Sequence, residues 1–250
     1  MNNDRLRQLF VIVGVILTIA INGLANALPF NGQNTGQISD SVQVFFVPAG
    51  YVFSIWGLIY LGLIVFGVYQ ALPSQAANPR LRRMGYLFVL SCVANIAWIF
   101  LWHYNIFVPT LVAMLILLGC LIAIYLILGI GRTTVPTLET WLVRLPFSIY
   151  LGWITVATVA NFTFVLAKNN WDGWGLEPQV WAVILLTVAT LIGALVGFTR
   201  RDIAYLLVLV WAFVGIAAKH SETSVVAFGA YLAAFWILAV IAWVIVKRRR

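Results

Sequence analysis

From Pro48 to Gln70 the chain reads PAGYVFSIWGLIYLGLIVFGVYQ, 23 residues without one formal charge. At about 1.5 Å per helical residue, such a run crosses a hydrocarbon layer of about 30 Å. Backbone amides find no water in that layer, so the run must be a helix or belong to a closed barrel. Seven further apolar segments lie near residues 9–29, 84–103, 106–130, 142–167, 178–198, 203–219 and 225–246. They are continuous rather than alternating, which excludes a barrel. The expectation is an all-α integral membrane protein with eight transmembrane helices, the short seventh taking length from its flanks. Only 9% of residues are charged, against about 25% in soluble domains.

The position of the charges predicts the orientation. With a cytoplasmic N-terminus, eight crossings put Arg5, Arg7, Arg80, Arg82, Arg83, Arg132, Arg144, Arg200, Arg201, Lys247, Arg248, Arg249 and Arg250 inside. That is 13 of the 15 basic residues; Lys168 and Lys219 fall outside, with Asp40, Asp172, Glu177 and Glu222. This asymmetry follows the positive-inside bias and puts both termini in the cytoplasm, in a bacterial inner (plasma) membrane. The net charge of +8 then serves topology and anionic lipid, not nucleic acid. Arg5, Arg7, the apolar Leu9–Ile21 stretch and Ala25-Asn26-Ala27 also fit a cleavable signal peptide, whose loss would leave seven helices.

Conventional catalytic signatures are absent from the sequence. No Asp, Glu, Lys or Arg falls within the interior of a predicted span, which argues against proton relays and ion coupling. There is no phosphate loop, paired carboxylate or nucleophile–base pair, so an enzyme is the less favoured reading. Cys92 and Cys120 sit in apolar runs and read as small buried side chains, not as a disulfide or metal site. His103 and His220, each at the outer end of a span, are either polar helix ends or axial haem ligands.

Rings and amides inside the spans are more informative. Trp56 and Tyr60 lie one and two turns below Val52, facing lipid, a neighbouring helix or a cavity. Asn22 and Asn26 share a face of the first helix; Asn95, Trp98 and Trp102 share one on the third; Tyr150, Trp153, Ala157 and Asn161 follow one another down the fifth. Such amides either bond across helices, at about 0.6–2 kcal/mol each, or anchor a ligand. Because spans alternate in direction, Tyr51, Trp56, Asn95, Trp98, Trp102 and Asn161 share the outer half of the membrane, as a mostly apolar pocket with sparse polar groups requires. The polar loop Asn31–Val47 above them is either a lid or a slack connector. Trp171 and Trp174 mark an interfacial loop before three spans with fewer polar groups, so residues 1–168 and 169–250 are expected to form two units.

Three stretches resemble the tryptophan-rich sensory protein family, which includes the mitochondrial translocator protein (peripheral benzodiazepine receptor). They are the proline and aromatic run ending in Trp56-x-x-x-Tyr60, then Asn95-x-x-Trp98-x-x-Leu101-Trp102, then Tyr150-x-x-Trp153 with Ala157 and Asn161. Phe53 stands three residues before Trp56 where the family has four, Ile149 replaces a proline, and three spans follow the family's five. The resemblance implies a five-helix bundle over 1–168 with a three-helix extension. It further implies a site lined by Trp56, Asn95, Trp98, Trp102, Trp153, Ala157 and Asn161; Tyr51, Tyr60 and Tyr150 join it by position. Relatives bind porphyrins, haem-related tetrapyrroles, sterols and aromatic drugs, and commonly dimerise. The expected function is binding, and transport or sensing, of a flat hydrophobic ligand, with no required cofactor, porphyrin or haem entering as ligand, and lipid and a second copy as partners. Light-dependent porphyrin breakdown, or a scaffold recruiting a partner through the last three helices, are the alternatives.

Overall fold

The computed structural model describes residues 3–249, and the side chains of Arg248 and Arg249, with all of Arg250, lie outside the described residues. Every regular element among the described residues is helical. The long helices are α1 (Asn3–Ala27), α2 (Ile55–Ala71), α3 (Pro79–His103), α4 (Phe107–Ile127), α5 (Leu145–Lys168), α6 (Pro178–Arg200), α7 (Ile203–Lys219) and α8 (Ser224–Arg249). A 3₁₀ segment, Gly50–Ser54, leads into α2, and a π-helical turn, Thr140–Arg144, leads into α5. Pro146 follows that turn, near the start of α5. Seven of these helices, α2 counted with its 3₁₀ lead-in, are long and apolar enough to cross a membrane.

The exception is α7, with 17 residues. It does not take length from its flanks as the sequence suggested. The Asp202 carboxylate caps its first turn by accepting the Tyr205 amide at 3.2 Å, and Arg201 turns the chain in a left-handed conformation (φ 52°). Leu206, Leu209, Ala212, Phe213 and Ile216 are fully buried, so much of α7 faces protein, where hydrocarbon thickness sets no length.

α1 packs parallel to α3, with Asp4 beside Arg82 near their starts and Asn22 beside Asn95 further along. The consecutive pairs α3 with α4 and α4 with α5 pack antiparallel, and α2 closes against α1 and α5. The last three helices pack on one another and reach the rest chiefly through α7 on α5. Gly152 permits that approach, because a Cβ there would stand 3.2 Å from the Tyr205 carbonyl oxygen. Small residues at such crossings let helices gain dispersion contacts that lipid does not drive.

The end of the bundle that holds the N-terminus is stitched by charge. Arg80 forks onto the buried Glu139 carboxylate at 2.7 and 2.9 Å, Arg82 pairs with Asp4, and Gln8 and Gln70 donate to each other's backbone carbonyls. Arg144 donates to the Leu128 carbonyl oxygen at 2.7 Å. Asp202 is buried between the two groups of helices, where its Oδ2 accepts from Tyr125 of α4 at 2.9 Å and from Ser148 of α5 at 2.6 Å. Replacing it removes acceptors for two buried hydroxyls and a capped amide, each bond to a charged group being worth about 1.5–3 kcal/mol. Asp202→Ala should therefore lower the stability of the detergent-solubilised protein by about 2–4 kcal/mol; a thermal midpoint equal to the parent's would show that this junction is not structural.

Candidate functional site

At the opposite end, α2, α3, α4 and α5 enclose a narrow cavity of about 60 Å³. Trp56, Asn95, Trp98, Trp102, Trp153, Ala157 and Asn161 all line it, so the faces predicted on the second, third and fifth spans do meet. Phe53, Met114, Leu117 and Phe164 complete its apolar wall. Phe164 follows Asn161 by three residues on the same helical face, a signal present in the sequence and not used. Phe53 faces the cavity beside Trp56 despite its three-residue spacing. It lies in the 3₁₀ segment, and in a three-residue turn positions i and i+3 project the same way.

The remaining three predicted residues sit elsewhere. Tyr60 stacks on Trp56 (ring centroids 5.5 Å) and lines an adjoining cleft of about 340 Å³, bounded by Asn22 and Asn26 of α1. Tyr150 is buried behind the wall, its ring edge-on to Trp56 at 6.0 Å. Tyr51, half exposed, turns to Trp211 of α7 at 5.4 Å. Thr35, Phe53, Trp56 and Trp98 line both the cavity and the cleft, so these four side chains form the partition between them.

Both amides bond across helices. Asn95 accepts from Asn22 Nδ2 at 2.7 Å and donates to the Tyr150 hydroxyl at 3.2 Å. Asn161 accepts from Trp98 Nε1 at 3.0 Å and donates to Thr110 Oγ1 at 2.9 Å. A carboxamide has two N–H donors and two acceptor lone pairs, which leaves each side chain one of either kind. Trp102 Nε1 donates weakly to the Thr35 carbonyl oxygen at 3.4 Å. Trp153 differs from Trp98 and Trp102: its Nε1 is buried and has no acceptor among the described residues.

The loop over this end is built as a roof. Asn34 and Gln37 form a reciprocal capping box that starts a short helix, Thr35–Ser39. Thr35, Ser39, Val47 and Pro48 reach the cavity. Asn31 donates to the His103 carbonyl oxygen at 3.1 Å, holding the loop on α3. Its other edge rests on α7. The Ala49 amide donates to the Gly215 carbonyl oxygen at 3.0 Å, Trp211 Nε1 to the Val52 carbonyl oxygen at 3.1 Å, and Lys219 pairs with Asp40. His220 Nε2 lies 3.3 Å from the Val47 carbonyl oxygen, a contact that requires the proton on that nitrogen. Burial lowers the His220 pKa, which keeps the ring neutral.

A helical, multi-pass integral membrane protein with an apolar cavity enclosed under a loop is the class that this architecture defines. A family model described as TSPO-like protein matches residues 8–243, and the chain belongs to that family. The match runs through α6, α7 and α8, beyond the residues 1–168 that carry the motifs. Membership puts the protein among membrane-embedded binding, transport or sensing proteins. No curated protein and no solved structure matches significantly.

Asn161→Leu should strand Trp98 Nε1 and remove a donor from Thr110 Oγ1, which keeps its bond to the Phe107 carbonyl oxygen, and cost about 1–3 kcal/mol of stability. Thermal unfolding followed by tryptophan fluorescence measures it, and a neutral result would mean that neither bond matters in the membrane.

Proposed function

We propose that the protein binds a flat hydrophobic ligand of the porphyrin or tetrapyrrole type in the cavity between α2, α3, α4 and α5, for transport or sensing. The reading includes eight crossings, α7 among them, with both termini in the cytoplasm and the roof on the outer face. One observation carries it: Trp153 lines the cavity, and its buried indole N–H has no acceptor among the described residues. An orphaned buried donor costs about 1–3 kcal/mol, and a ligand carbonyl, carboxylate or ring nitrogen relieves that cost. The other rings offer stacking faces, and each asparagine keeps a free donor and acceptor.

A cavity of about 60 Å³ is far below the roughly 300–1,000 Å³ of sites for drug-sized ligands. The ligand enters an opened form. Displacing the Trp98 or Phe53 ring joins the cavity to the adjoining cleft of about 340 Å³, and lifting the roof admits the ligand. The ion pair of Lys219 with Asp40, half exposed, holds that roof only weakly.

Titrating the purified protein with protoporphyrin should quench tryptophan fluorescence saturably. Trp153→Phe keeps the ring and removes the donor, and should weaken binding about five- to tenfold, the equivalent of one hydrogen bond. A Trp98→Ala/Trp102→Ala/Trp153→Ala protein that binds as tightly as the parent would clear those rings of any role. Lys219→Ala should speed association, measured by stopped flow, at little cost in stability. An unchanged association rate would mean that the ligand enters by another route.

A further inference from the structure

A larger hollow lies apart from the central cavity, in the wedge between α5 and α6. It measures about 450 Å³ and is walled by Phe45 below the roof, Phe162 and Leu166 of α5, and Trp181 and Leu185 of α6. It opens into a surface depression with which it shares Gln43, Phe45, Asp172, Leu176 and Pro178. Two carboxylates, Asp172 and Glu177, stand at that mouth. Neither takes part in an ion pair among the described residues. The two lysines of this end are engaged elsewhere: Lys168 lies over the Phe107 ring of α4 at 5.8 Å, and Lys219 pairs with Asp40.

Three indoles gather beside the carboxylates. Trp171, Trp174 and Trp181 lie with ring centroids 5.1 to 5.6 Å apart at steep angles. Trp181 Nε1 donates to the Gly173 carbonyl oxygen at 2.8 Å, which ties the loop to α6. Trp174 is 76% exposed and sits in a left-handed backbone conformation (φ 54°), with its amide donating to Asp172 Oδ1 at 3.0 Å. A bulky residue adopts that conformation only at some cost in strain, and here the result is a large ring held open to the solvent.

We infer that this hollow and its mouth bind an amphiphilic organic cation, with the apolar body between α5 and α6 and the positive head among the indoles and the two carboxylates. Tryptophan faces attract an ammonium or phosphonium ion, and unpaired carboxylates add to that attraction while repelling anionic amphiphiles. A neutral molecule gains only the apolar hollow. The same chemistry is offered by the ammonium headgroup of phosphatidylethanolamine and by a soluble aromatic cation. The site is independent of the central cavity, with which it shares no lining residue.

The test uses the full-length protein in phosphatidylglycerol nanodiscs at low ionic strength, with tetraphenylphosphonium measured by equilibrium dialysis against empty discs. Triphenylphosphine oxide serves as the neutral control. Asp172→Asn/Glu177→Gln should weaken tetraphenylphosphonium about three- to tenfold and leave the oxide unchanged. Leu185→Trp, which fills the hollow, should weaken both probes. Because the first variant alters only exposed loop side chains, its folding is not at issue. If both variants bind tetraphenylphosphonium as the parent does, or if the carboxylate variant weakens the oxide equally, the assignment is overturned. Replacing phosphatidylglycerol by phosphatidylethanolamine separates the two sources. A loss of the parent's advantage over Asp172→Asn/Glu177→Gln identifies the lipid headgroup as occupant, and an advantage that persists identifies a soluble cation.

Discussion

The roof lies directly on α7 at Gly215, and the shape of the central cavity depends on that contact. A Cβ at Gly215 would collide with the Val52 side chain and press on Pro48. With hydrogen there instead, the segment drops far enough for the Ala49 amide to reach the Gly215 carbonyl oxygen. Pro48 and Phe53 then line the cavity from above. A helix outside the four that enclose the cavity thus sets the height of its ceiling. Through α7 the C-terminal helices take part in the site's support, consistent with a family match that includes them.

Lipid supplies no hydrogen bonds, so the polar side chains of the spans satisfy one another. Asn22, Asn95 and Tyr150 join α1, α3 and α5, and Trp98, Asn161 and Thr110 join α3, α5 and α4. The two chains of bonds fix the depth at which the helices meet. Amide bonding across helices and a place in the cavity wall are therefore compatible roles for one asparagine. Trp153, whose buried indole N–H lacks an acceptor among the described residues where Trp98 and Trp102 each have one, is one point at which this internal satisfaction stops.

Much of this was legible in the sequence, because the membrane leaves few choices. Uncharged apolar runs had to be helices, and the three- and four-residue steps from Asn95 to Trp102 and the four-residue steps from Trp153 to Asn161 had to share faces. What escaped depends on local winding or on long-range partners. Tyr51 leaves the cavity because it sits in the 3₁₀ segment, whose tighter turn carries its ring to Trp211. Asp202 drew no reading from the sequence, because the hydroxyls that bond it lie 54 and 77 residues away. Arg7, counted among the loop charges, is buried instead with its guanidinium donating to the Ala76 carbonyl oxygen, and Glu139 is buried against Arg80.

The partition formed by Thr35, Phe53, Trp56 and Trp98 bears on how any occupant is selected. A binding-competent state that is populated for only a fraction of the time divides the intrinsic affinity by that fraction. Small molecules with few contacts recover little of the cost of holding the rings apart, whereas an extended aromatic one recovers it over both compartments. Size discrimination thus resides in the rotamer equilibria of a few side chains, and relatives with the same helices can differ in what they accept by a single substitution at this wall.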